Sequence, residues 1–99
     1  MIDIKRLEEE RNKAYDVWFE RWWSKSDVEK QIKLANCQGY TGYVLRLGDY
    51  HQYEQRRMSK DRFLLKLQEM LPRFEVEFRY NTNWLTKKDY LYGIYIDWS

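Results

Sequence analysis

Cysteine, proline and histidine occur once each in this chain, and glycine four times. Each scarcity removes a class of protein. A single Cys37 allows no internal disulfide, which fits a reducing compartment. The one histidine, His51, sits in a polar stretch with no nucleophile near it. No H-x-H, H-E-x-x-H or C-x-x-C spacing is present to hold a metal. No glycine-rich phosphate loop occurs, since Gly39 and Gly42 suit a helix cap and the approach to a strand. No enzymatic activity, metal or cofactor is therefore expected. No apolar run approaches the ~18 residues of a membrane span. MIDIKRLEEER is charged from the start and lacks the apolar stretch of a signal peptide. The chain reads as soluble and cytoplasmic, without repeats or low-complexity segments.

Excess charge is also missing. Lys and Arg number 18 against 16 Asp and Glu, a formal net charge of +2. This is not the strongly basic balance of a dedicated nucleic-acid binder. The aromatics are abundant by contrast: nine Tyr, five Trp and four Phe, 18% of the 99 residues. Large rings carry a big apolar payload each, so a short chain can still build a core. A single domain over 1–99 follows, with a helical region at 1–38 and a β-α-β-β unit at 39–99.

The helical region is periodic. Ile4, Leu7, Ala14, Tyr15, Trp18, Phe19 and Trp22 form one broad stripe at helical spacing, opposite a charged face. Beyond Lys25 the apolar positions Val28, Ile32 and Ala35 turn to another side. Ser26 with Glu29 matches a capping box. The helix is therefore expected to kink or break at Ser24–Ser26, with Gly39 closing the second piece. YTGYVLRL at 40–47 reads as a strand, and GDYHQYEQRRM as a polar loop. Ser59 is expected to cap a short helix with Phe63, Leu64, Leu67, Met70 and Leu71 on its apolar stripe, stopped by Pro72. FEVEFRY at 74–80 alternates strictly. YLYGIYIDW at 90–98 follows, with Tyr90, Tyr92, Ile94, Ile96 and Trp98 on one side. A right-handed crossover would set the first two strands parallel, and the loop at 81–89 the last two antiparallel. The fold class is α+β: a long N-terminal helix, then a three-stranded mixed sheet with helices on one face. A straight helix would overhang such a sheet, so it either folds back or buries its excess against another chain; a homodimer is expected.

The charged helix, GYTGYVLRL and the closing YGIYIDW together resemble the small accessory proteins of phages and prophages of Gram-positive bacteria. That group is similar in its long charged helix, its β-α-β-β order and its Tyr-Ile-x-Trp-like ending, here Tyr95 to Trp98. The resemblance implies a gene that redirects or inhibits a host protein, antiviral defence components included.

The leading expectation is a non-enzymatic binding protein acting on a host protein. Its anchors would be Phe19, Trp23 and Trp84, with Tyr50 and Tyr53 from the loop, while Arg56, Arg57, Lys87 and Lys88 steer towards an acidic patch. Leu7, Tyr15, Trp18 and Trp22 belong to the core or to a dimer interface. Trp23 lies off the main stripe, and its cover is a dimer mate, the chain's own second helical piece, or a foreign partner. Two alternatives differ in class. One is a nucleic-acid-binding accessory protein using the basic segment 56–62 and the hairpin loop 81–89. The other is an oligomer that sequesters a nucleotide between rings.

Overall fold

In the computed structural model, which describes residues 1–99, the N-terminal half is two helices joined at one residue. Helix α1 runs Ile4–Ser26 and α2 runs Val28–Cys37. Asp3 caps α1 by accepting from the Lys5 backbone N–H at 3.0 Å. The break falls at Asp27, in the left-handed region at φ 50°, a conformation that short polar side chains tolerate. Helix α1 therefore continues through Ser24–Ser26, one step beyond the expected break. No side chain caps α2, so the Ser26–Glu29 capping box does not form. Gly39, at φ 94°, follows α2 as expected.

Strand β1 (Gly42–Arg46) leads into a 3-10 turn at Leu47–Asp49, then α3 (Gln52–Met58) and α4 (Asp61–Met70). The segment read as a polar loop is thus mostly helical. Its two inward residues, Glu54 and Met58, are i,i+4 neighbours and both buried. One of them is an acid, so no apolar period was visible there. Ser59 ends α3, donating its hydroxyl to the Arg56 carbonyl at 2.9 Å. It does not cap α4, whose N-cap is Lys60. Met70 is exposed, outside the apolar stripe expected for it.

Strands β2 (Glu75–Asn83) and β3 (Lys88–Asp97) complete the sheet. Its order is β1-β3-β2, and both pairings are antiparallel. The expected α+β class and helix–β-α-β-β order are present. The mixed pairing is not, because β3 inserts between β1 and β2. Those two strands still run in the same direction, as a crossover requires, but they are not neighbours. A bulge also changes the facing of β3: Arg79 pairs with Gly93 and Tyr80 with Leu91, leaving Tyr92 as the extra residue. Past it Leu91 packs on the core while Tyr90 is exposed, so Tyr90 leaves the row of Ile94 and Ile96.

The core lies where the helices meet Leu45, Ile94 and Ile96. Phe63 of α4 is its aromatic hub. Its ring stands edge-on to Trp22 at 4.9 Å and to Phe19 at 5.6 Å, with Trp18 at 6.0 Å. Such geometry suits ring quadrupoles and adds to burial itself. The aromatics of α1 thus join helix to helix. The radius of gyration is 15.6 Å, against about 13 Å for a compact chain of this size. Two extensions account for the excess. Residues 1–14 are all exposed, an overhang of ~16 Å for Ile4–Ala14 at ~1.5 Å per residue. Residues 80–90 at the β2–β3 hairpin are all exposed too.

Candidate binding groove between α1 and α3

Val17, Arg21 and Lys25 follow one another at i+4 along α1, beside the row of Trp18 and Trp22. Against this double row lies α3, held by three contacts. The buried Glu54 carboxylate meets the Lys25 ammonium at 3.0 Å. The Tyr15 hydroxyl donates to the Arg57 carbonyl. Met58 fills the core beneath. Between the two helices remains a groove of about 380 Å³, lined by Ala14, Val17, Trp18, Arg21, Trp22, Lys25, Tyr53 and Arg57.

The charge in this groove has one sign. Arg21, Lys25 and Arg57 line it, and no acid does. Two carboxylates lie close by: Glu54, 2% exposed and already engaged by Lys25, and Glu20, which borders the neighbouring depression with Val17, Arg21 and Lys25. The Arg57 guanidinium sits 5.5 Å from the Trp18 ring centroid and 5.8 Å from that of Tyr53. Two rings therefore hold one cation in place at the rim. His51 stacks on Tyr53 at 5.9 Å with planes 9° apart. An apolar floor with fixed cations above it suits a partner that offers an apolar side chain flanked by carboxylates.

The remaining expected site residues divide. Phe19 is 2% exposed and belongs to the core, so it is not available as an anchor. Tyr50 is half-buried against Trp22 at 5.9 Å, and burial pushes its hydroxyl up from the ordinary value, the nearby Ser26 opposing. It supports the fold more than a surface. Trp23 is half-buried and stacks on Phe19 at 6.3 Å and 20°, which makes its own chain part of its cover. Leu7 is exposed on the overhang, whereas Tyr15, Trp18 and Trp22 join the core. Arg56 borders a separate depression with Gln55 and Leu91. Arg62 forks onto Asp16 at 2.8 and 3.0 Å, which takes it out of the basic segment 56–62.

At the hairpin tip Trp84 is 80% exposed, next to Leu85 and near Lys87 and Lys88. No residue of this tip packs on the core cluster. Arg21 and Lys25 line the groove without being among the expected site residues. The signal for them was the i+4 ladder Val17–Arg21–Lys25, which placed two cations beside the tryptophans.

No family model, curated protein or solved structure matches the chain. No three His, Cys, Asp or Glu side chains converge to hold a metal ion. No helix is long and apolar enough to cross a membrane.

Proposed function

We propose that this chain is a non-enzymatic binding protein that occupies an acidic, partly apolar surface of another protein through the α1–α3 groove. The observation that carries this reading is the convergence of Arg21 and Arg57 around Val17, Trp18 and Tyr53, in a groove that no acid lines. Rings fill apolar pockets on a partner, while the cations select carboxylates and speed encounter. Trp84, with Lys87 and Lys88, supplies an outlying second contact. The order of elements supports a phage or mobile-element origin in a Gram-positive host cytoplasm. The partner is then a host protein, and occupying its surface inhibits or redirects it; a nuclease or other antiviral defence component is the specific case. The acting unit is a homodimer.

Affinity capture from a Gram-positive lysate tests this, with wild type run beside Arg21→Glu/Arg57→Glu. A protein retained by wild type and lost with the folded charge-reversed variant supports the reading; equal retention by both contradicts it. A nucleic-acid reading has one observation in its favour, the Arg57–Tyr53–His51 stack, whose faces could take a base. It predicts oligonucleotide affinity that falls steeply with salt. Absence of binding at low ionic strength removes it.

A further inference from the structure

Strand β2 is a free edge, paired with β3 on one side only. Proteins protect such edges with charged side chains, Lys above all, with Pro, bulges, inward-pointing charges or a covering element; β2 carries Glu75, Glu77 and Arg79, charges of both signs. The nine residues EVEFRYNTN contain no Lys and no Pro. The extra residue of the bulge, Tyr92, lies on β3, so β2 itself stays regular. The positions facing the helices, Val76, Phe78 and Tyr80, carry no charge. The other edge, β1, has only five residues, and each edge strand has one helix packed against it, α2 on β1 and α4 on β2. Burial also falls away towards β2. Ile94 and Ile96 are fully buried, their β2 neighbours Phe78 and Val76 are half-buried, and Tyr80 is exposed.

We propose that β2 is the seam of a homodimer, pairing antiparallel with β2 of a second copy about a two-fold axis at Phe78. The proposal rests on the homodimer inferred above and names its surface. Directly opposed residues in an antiparallel ladder share a face of the sheet. Core-facing residues must therefore oppose core-facing ones, which leaves few registers. An axis at Glu77 or at Arg79 sets that charge against its own copy. An axis at Val76 sets Glu75 against Glu77. The axis at Phe78 alone sets Glu77 opposite Arg79 of the partner subunit, and does so twice. Glu77 and Arg79 already pair within one chain at 2.8 Å, so the seam carries four alternating charges on its outer face. On the core side Phe78 meets its own copy and Val76 meets Tyr80 of the partner subunit. The half-covered rings of β2 are thereby buried. The result is one continuous antiparallel sheet across the dimer, closed by about six to eight main-chain hydrogen bonds between Glu75 and Asn81.

Sedimentation equilibrium tests this on wild type, Glu77→Arg, Arg79→Glu and the double variant. Each single change places like charges opposite one another at both symmetry-related positions, and should raise the dimer dissociation constant about tenfold or more. The double variant restores opposite charges in reverse order and should dimerise like wild type. It also guards against a misleading loss of fold, since it keeps the intrachain pair. A wild-type dimer that both single variants leave intact overturns the seam but not the dimer. Wild type that stays monomeric at the highest concentrations overturns both.

Discussion

Replacing Lys25 by Met should destabilise the protein far more than its exposure suggests. The Lys25 side chain is 57% exposed, but its partner Glu54 is 3% exposed and meets the ammonium at 3.0 Å. Loss of the cation strands a carboxylate between α1 and α3. Breaking a fully buried pair on one side costs about 3–5 kcal/mol. Water reaches the Lys25 end, so about 1–3 kcal/mol is expected here. At about 4–8 °C per kcal/mol for a domain of this size, a 2 kcal/mol loss lowers Tm by about 8–16 °C. Removing both charges is a different perturbation. The double variant Lys25→Met/Glu54→Met leaves no stranded charge and should lie within about 1 kcal/mol of wild type. Urea unfolding of wild type, both single variants and the double variant gives the coupling energy directly. A Lys25→Met variant as stable as wild type would refute the claim that this cation compensates Glu54 and locks α3 onto α1. So would a double variant as unstable as Lys25→Met.

Other changes probe the core and the sheet. Trp22→Ala should cost about 3–5 kcal/mol in chemical unfolding, much of the stability of a domain this small. Trp22→Phe should cost much less, because the buried Trp22 Nε1 makes no hydrogen bond that would be lost. Gly93→Ala places a Cβ 2.6 Å from the Leu45 carbonyl oxygen, backbone of the neighbouring strand. It should lower stability by about 1–3 kcal/mol by forcing β1 from β3, read as a fall in urea midpoint. The Asp16 carboxyl has burial pushing its pKa up, but the hydrogen bonds from Arg62 and the charge of Lys66 pull it further down, to a net lowering. A lowered folded value gives stability that is present above about pH 4 and lost as pH falls through that value. Acid unfolding of Asp16→Asn should accordingly show a shallower dependence than wild type in that range.

The helices written by apolar spacing were readable, and those written by tertiary contact were not. The Tyr15–Trp22 part of the α1 stripe and the Phe63–Leu67 pair in α4 follow the helical period, so their burial is local information; Ile4, Leu7 and Ala14 share that period but lie on the exposed overhang. Helix α3 has Glu54 at a buried position, and its pairing with Lys25 joins residues distant in sequence. No local pattern reports that. In the sheet, the alternation of Glu75, Glu77 and Arg79 with Val76 and Phe78 is that of a half-exposed edge strand. The unbroken Gly93-Ile94-Tyr95-Ile96 run is that of a central one. The order β1-β3-β2 was therefore present in composition, but a crossover rule applied to sequential strands concealed it. Among the expected site residues, Tyr53, Arg57 and Trp84 are exposed. Phe19 is not, because α4 brings Phe63 against it, a contact that no helical wheel contains. Length alone showed that a straight helix could not fit the sheet, as helix and strand rises differ by about a factor of two; the helix breaks at Asp27, and the overhang that remains is at residues 1–14.

Hydrogen exchange of the chain, free and with a captured partner bound, tests the binding groove most directly. The account predicts slowed exchange over residues 14–25 and 52–58, on the two helices that line the groove. Protection confined to the hairpin at 80–90 or to the overhang at 4–13, with the groove unchanged, would contradict it.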